Sequence, residues 1–293
     1  MLIPRRNYGL TEVVVSAIGL GAIPLGNPDW PEREAAALLD QALAAGIRLI
    51  DTAPSYGVSE QRIGRWLAPH RAACTLSSKL GYGVAGIEDW TGACIAAGVD
   101  QALRRLQTDW LDIAHLHSCP LAILQREDVL RALDDAKHAG KIRAIAYSGE
   151  GAALDYAIRC GHFDGCMASL NLFDQRVIDE VIPKLAGRGF IAKRPLANAP
   201  WRFTQQPHGD YCEAYWLRWR AMQLPEPGMP WGELALRFAL WHPGVSCAVV
   251  GTASVAHLHE NLKWAANGPL PDDVLRLCHA AFRQYDRDWI GQI

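Results

Sequence analysis

No apolar run in this chain approaches the roughly 20 residues a helix needs to cross a bilayer, so no segment reads as a membrane span. No basic block stands out either. Lys and Arg number 29 against 31 Asp and Glu, a formal charge of -2, and nucleic acid is not an expected partner. Arg5 and Arg6 precede no apolar stretch of the kind a secretory leader carries, so no such leader is expected. None of the eight cysteines (Cys74, Cys94, Cys119, Cys160, Cys166, Cys212, Cys247 and Cys278) has the paired two-residue spacing of a zinc or redox motif. They are expected to be reduced, several of them as small hydrophobes in the core of a cytoplasmic protein. With 50% hydrophobic and 20% charged residues, nothing in the 293 positions suggests disorder, and the chain can bury a large core.

What is present is a rhythm. Tyr8 to Thr11 and Val13 to Ser16 suggest an N-terminal β-hairpin. Apolar, strand-like runs follow at Ala17–Leu20, Arg48–Ile50, Cys74–Ser78, Leu111–Leu116, Ile142–Tyr147, Gly165–Leu170, Phe190–Ala192 and Cys247–Val250. Segments with helical periodicity alternate with them: Pro31–Ala45, Glu60–Leu67, Thr91–Leu106, Asp128–Ala139, Ala152–Cys160, Val177–Ala186, Pro230–Trp241 and Ser254–Ala265. Residues 196–230 interrupt the pattern with an extra helix at Tyr211–Met222, and a last helix covers Pro271–Asp288. Eight strand–helix pairs predict eight parallel strands with right-handed crossovers, and eight strands close a barrel. The expectation is an α/β chain: one (β/α)8 TIM-barrel domain over 1–293, with an N-terminal hairpin and extra C-terminal helices.

Four polar residues then become prominent. Asp51, Lys79 and His117 each follow directly after a strand-like run, on successive strands, and Tyr56 lies five residues beyond Asp51. In a parallel barrel the carboxyl ends of the strands share one mouth, so a carboxylate, an ammonium, an imidazole and a phenol are expected to meet there. Together they suit the protonation of a carbonyl oxygen. A free phenol titrates near ~10, too high for an efficient acid at neutral pH. An ammonium at ~4 Å supplies roughly 4 kcal/mol at an effective dielectric of about 20. The expectation is a tyrosine pKa lowered by about two to three units, with Asp51 holding the lysine and His117 donating to the carbonyl oxygen.

Two His-x-His pairs raise the question of metal. His115 and His117 share a face of one strand, but a zinc site needs further ligands at other strand ends, and only Asp51 is available. His257 and His259 project roughly 200° apart on a helix and cannot chelate together. No metal is expected.

The stretch Asp51-Thr52-Ala53-Pro54-Ser55-Tyr56-Gly57-Val58-Ser59-Glu60, with Ile63-Gly64, resembles the signature of the aldo-keto reductase superfamily. Ser78-Lys79 is similar to its lysine motif, and Asp112 to His117 to the strand ending in its histidine. Gly251-Thr252-Ala253-Ser254, with His257-Leu258 and Glu260-Asn261, resembles its adenosine-binding segment. The resemblance implies a barrel enzyme that reduces aldehydes or ketones with NADP(H), NAD(H) not being excluded. It implies tetrad roles for Asp51, Tyr56, Lys79 and His117, and a monomer or weak oligomer acting on a small carbonyl compound.

It also implies a cofactor path. Gly21, Asp51 and Ser148 are expected among the cofactor-binding residues, Ser148 as the serine that contacts the nicotinamide amide. Lys193 and Arg194 are expected to pair with the pyrophosphate, Gly251, Thr252 and His257 to lie at the adenosine 2′-phosphate, and Glu260 and Asn261 at the adenine. Gly251 and Thr252 precede a helix whose free N–H groups favour an anion. Three departures thin the set: Gly149 and Met167 stand where amide partners are common, and Gly251 and His257 where a lysine and an arginine often clamp the phosphate. Trp30, Tyr82, Phe173, Trp201 and Trp289 are candidates for an aromatic substrate wall. Two other readings remain: the reverse oxidation of a sugar or alcohol with NAD, and a nucleotide-sensing barrel that acts through a partner without turnover.

Overall fold

The computed structural model describes residues 3–292. Eight parallel strands close a barrel: β3 (Ile18–Gly21), β4 (Leu49–Asp51), β5 (Thr75–Leu80), β6 (Leu111–His117), β7 (Ile142–Ser148), β8 (Gly165–Ser169), β9 (Gly189–Lys193) and β10 (Cys247–Gly251), which returns to β3. The strands read as near-continuous apolar runs because helices cover the outside and side chains fill the inside. The covering helices are α1 (Glu32–Ala44), α2 (Ser59–Leu67), α3 (Gly92–Leu106), α4 (Leu121–Leu124) with α5 (Glu127–His138), α6 (Gly151–Arg159), α7 (Arg176–Glu180), α9 (Trp231–Leu240) and α10 (Val255–Ala266). Two further helices, α8 (Glu213–Met222) in the interruption and α11 (Asp272–Tyr285) at the end, pack on one another.

The hairpin β1 (Arg5–Asn7) and β2 (Val14–Ser16) closes the amino-terminal end of the barrel. Its Tyr8, Val13 and Val15 join Leu49, Ile113, Ala144, Ala146, Met167, Ile191, Cys247 and Val249 in an interior apolar plug. Gly165 and Gly189 make the room, since a Cβ on either would lie within 2.5 Å of the Tyr8 ring. The plug leaves the polar residues to the carboxyl end.

The boundaries correct three expectations. Lys79 does not follow its strand; it lies inside β5, which runs two residues past the expected Ser78. The helix expected at Val177–Ala186 stops at Glu180 and continues as a short 3-10 turn, Ile182–Lys184, because Pro183 has no N–H to donate. The helix expected to end at Asp288 ends at Tyr285.

Candidate active site

Strand register sets out the polar residues. Asp51 pairs with Ser77, Lys79 with His115, and His117 with Ser148, each across neighbouring strands. Ser77 and Lys79 are two apart on β5, and His115 and His117 two apart on β6, so each pair shares a face. The result is one polar line climbing the inner wall from β4 to β7.

The core of that line is an ion pair. Lys79, 1% exposed, donates from Nζ to Asp51 Oδ1 at 2.5 Å and to the Thr52 carbonyl at 3.0 Å. Asp51 Oδ1 also accepts from Ser77 Oγ at 2.6 Å, and Ser77 Oγ lies 3.0 Å from His115 Nε2. Burial, then the Lys79 charge, holds the His115 imidazole well below its usual pKa, so it is neutral.

Tyr56 is delivered to this pair by a close backbone approach. Gly57 has φ +51, and a Cβ on it would fall 2.3 Å from the Gly26 carbonyl oxygen; a Cβ on Gly26 would fall 2.2 Å from that of Tyr56. Only glycines allow the two loops to meet, and Val58 N–H seals the contact by donating to the Gly26 carbonyl at 3.3 Å. Behind it, the buried Arg62 guanidinium gathers the carbonyls of Leu25, Asn27 and Trp30. The Lys79 ammonium ends 6.0 Å from the centre of the Tyr56 ring.

The expected drop in the Tyr56 pKa is not found. Burial, and after it the Asp51 carboxylate, raises the phenol, with only Arg194 acting the other way. The reason is local: the Lys79 charge is compensated by Asp51 at 2.5 Å, and both of its formed hydrogen bonds point to Asp51 and Thr52. Tyr56 therefore rests as a neutral phenol.

His117 is also neutral. Burial, reinforced by Lys79, Lys193 and Arg194, pushes its pKa down to about 3. Its Nδ1 is hydrogen-bonded to the Tyr82 hydroxyl, which in turn lies 2.9 Å from Ser55 Oγ. Of the five aromatic candidates, Tyr82 is the one bonded to His117. Phe173 is core, Trp201 stacks on Trp231 at 6.4 Å, Trp30 bonds Glu34, and Trp289 packs edge-on against Phe282.

The expected cofactor residues divide into three groups. Ser148 is buried beside His117 at the end of β7. Gly149 cannot carry a side chain as the loop stands: a Cβ would lie 2.4 Å from the Tyr147 hydroxyl, which donates to the Cys119 carbonyl at 3.2 Å. Met167 belongs to the apolar plug below. Arg194 is at the mouth and bonds the Tyr211 hydroxyl, Ser169 Oγ and the Gln292 carbonyl. At the end of β10, Gly251 is exposed and pairs with Gly21; in the turn before α10, Thr252 Oγ1 accepts from Ser254 N–H at 3.0 Å and contacts the Ser254 carbonyl at 3.2 Å. Ser254 Oγ caps His257 N–H at 3.3 Å, the His257 and Glu260 side chains are exposed, and Asn261 is buried.

Sequence reasoning missed a second ion pair in the mouth. Lys193 at the end of β9 meets Glu150 at 3.1 Å, and burial lowers the lysine pKa against the pull of Glu150. Residues 289–292 lie over it: a Cβ on Gly291 would fall 2.5 Å from Glu150 Oε2, Ile290 accepts from Arg218 at 2.7 Å, and Gln292 accepts from Ser169 Oγ at 3.2 Å. Ser77 and His115 were legible from their two-residue spacing to Lys79 and His117. Lys193, expected at the pyrophosphate, is instead paired with Glu150, and nothing local in the sequence signals that pairing across 43 residues. Among the described residues, no group of three or more His, Cys, Asp and Glu side chains is placed to hold a metal ion, and no helix is long and apolar enough to cross a membrane.

A parallel barrel with an Asp, a Lys and a His at the ends of adjacent strands and a Tyr in the loop after the first defines a class, and residues 17–282 match the Aldo/keto reductase family. The chain belongs to that family. It is similar to an uncharacterised oxidoreductase of Bacillus subtilis, YqkF, 25% identical with 96% of this chain and 97% of that protein covered. It is also similar to the L-galactose dehydrogenase of Arabidopsis thaliana, 29% identical with 89% and 87% covered. Among solved structures, the holo form of an aldo-keto reductase from Bacillus halodurans superposes with TM-score 0.84 at 25% identity, over 95% of this chain and 96% of that one. The protein is accordingly an oxidoreductase of the NAD(P)H-dependent, carbonyl-reducing kind.

Proposed function

We propose that Tyr56 gives the proton and His117 Nε2 holds the oxygen in the reduction of a small aldehyde or ketone, or in the reverse oxidation. The observation that carries the reading is the neutral phenol beside a lysine already pinned by Asp51. A raised pKa does not hinder the step. The alkoxide left by hydride addition is comparable in basicity to hydroxide, at ~15.7, and so takes the proton downhill. The ammonium 6.0 Å from the ring centre is already compensated by Asp51, so the basicity of the alkoxide, not stabilisation of the phenolate, drives the transfer. A neutral His117 suits donation from Nε2, since its other nitrogen is engaged by Tyr82.

The donor set fits a nicotinamide nucleotide, which supplies the hydride when bound. Gly21, Asp51 and Ser148 would face its reactive end, Arg194 its pyrophosphate, Gly251, Thr252 and His257 the ribose phosphate, and Glu260 and Asn261 the adenine. We assign NADP(H) as the nucleotide with NAD(H) discriminated weakly. The Thr252 hydroxyl is already occupied by Ser254, and no lysine or arginine stands at Gly251 or His257. The same reading takes residues 1–293 as one barrel domain of a cytoplasmic protein, monomeric or weakly associated.

The sugar-oxidising direction draws on the L-galactose dehydrogenase likeness. A steady-state panel separates the readings: NADPH with small aldehydes and ketones, and NAD or NADP with aldoses and alcohols. Turnover in the first set is expected. Nucleotide binding without turnover in either would replace the proposal with a nucleotide-sensing barrel.

A further inference from the structure

We propose that Tyr82 is a positioning residue that decides which nitrogen of His117 carries the proton, keeping it on Nε2, where it faces the carbonyl oxygen. The inference deepens the proposed function and rests on its assignment of His117 as hydrogen-bond donor.

Tyr82 is built into place. It opens the loop that follows β5, and the loop is closed by Trp90 N–H donating to the Gly81 carbonyl at 2.7 Å and by Gly83 N–H donating to Asp89 at 3.0 Å. Gly81 has φ +124, and a Cβ there would sit 2.1 Å from the Trp90 ring, so the closure requires glycine. The Tyr82 ring lies near both Trp90, with centroids 5.9 Å apart, and His117, at 5.6 Å and tilted by 31°. Its hydroxyl bridges Ser55 Oγ and His117 Nδ1.

Two proton arrangements satisfy that bridge. In one, Ser55 donates to Tyr82 and Tyr82 donates to Nδ1, leaving the imidazole proton on Nε2. In the other, Nδ1–H donates to Tyr82, Tyr82 donates to Ser55, and Nε2 presents a lone pair. A phenol is the strongest acid of the three groups and a neutral imidazole nitrogen the strongest base, so the first arrangement joins the best donor to the best acceptor. Ser55 is exposed and can donate without loss. With Nε2–H fixed, a carbonyl oxygen finds a donor already in place. With Nε2 bare, it would meet a lone pair.

The test uses the full chain labelled with 15N-histidine, with His117 assigned by its loss in His117→Gln. Two-bond 1H–15N correlation reads the tautomer directly. The wild type is expected as the Nε2–H form. Tyr82→Phe, which keeps the ring packing, is expected to shift His117 to a mixture or to Nδ1–H. A wild-type Nδ1–H form, or no change in Tyr82→Phe, overturns the proposal. Activity is a separate arm: Tyr82→Phe is expected to lower kcat/KM for a carbonyl substrate about tenfold, the worth of one net hydrogen bond, with nucleotide affinity unchanged. A shifted tautomer with undiminished kcat/KM would leave the Tyr82 assignment standing and remove His117 from the proposed reaction.

Discussion

The Lys79–Asp51 pair invites a double-mutant cycle, because its burial makes the two residues far more costly apart than together. At 2.5 Å and an effective dielectric of about 20, the attraction is about 7 kcal/mol before desolvation is counted. Lys79→Met leaves the Asp51 carboxylate in the barrel interior with the Ser77 hydroxyl as its remaining donor. Asp51→Asn leaves the ammonium with the Thr52 carbonyl and a weaker amide oxygen. Removing one member of a buried pair typically costs 3–5 kcal/mol, much of it the uncompensated charge left behind. Each single variant should therefore lose about 3–5 kcal/mol, read by urea unfolding at pH 7 through tryptophan fluorescence. The double variant carries no charge at either position and should lose about as much as one single change. That is a coupling energy of about 3 kcal/mol or more. Losses that add to within about 0.5 kcal/mol would show that the two groups do not interact, and the electrostatic account of the site would fail with them.

Other outcomes follow from the same geometry. His117 titrates at about 3 in the fold against ~6.5 when free, so the unfolded chain binds the extra proton; stability is complete above pH ~6.5 and declines as the pH falls toward 3. The slope reaches about 1.4 kcal/mol per pH unit for this histidine, and His115 adds to it in the same direction. Unfolding followed from pH 7 to 4 should show a shallower decline in His117→Gln; equal slopes would contradict the assignment. Reductase activity should lack a transition near pH 6.5, because His117 titrates far below that point and Tyr56 above its usual range. Gly149→Asn should destabilise the fold by about 1–3 kcal/mol without tightening nucleotide binding, since the new side chain displaces the Tyr147 phenol; thermal unfolding and titration check both halves. The NADH/NADPH ratio of Kd should stay within about tenfold, less than one charge-assisted clamp confers. A ratio near a thousand would point to a phosphate site elsewhere.

The barrel was legible because its signal is redundant. Eight apolar runs alternating with eight helical segments leave few topologies, and no single boundary error disturbs the count. The gathering of Asp51, Lys79 and His117 at one end of the barrel was legible for a related reason: each interrupts or ends an apolar run, where a polar residue has no packing purpose. The electrostatic state was not legible. The sequence places Lys79 near Tyr56 but says nothing about the direction of its N–H groups, and those go to Asp51 and Thr52. Nor does sequence alone show that Tyr147 occupies the volume beside Gly149, or that Glu150 and Lys193 meet across the mouth. These are contacts between residues distant in the chain, decided by packing. Tyr82 lies between the two cases: its flanking glycines mark a tight loop, but only the folded loop aims its hydroxyl at His117.

The role of the Tyr56 hydroxyl as proton donor is tested most directly in Tyr56→Phe, a change that removes one oxygen and leaves the ring beside Lys79. Nucleotide affinity by tryptophan quenching and single-turnover oxidation of bound NADPH by an aldehyde should be measured on the same preparation. The account predicts an unchanged Kd and a turnover rate lower by a factor of about 100 or more, in the range of lost general acid catalysis. Equal single-turnover rates in the variant and the wild type would contradict it.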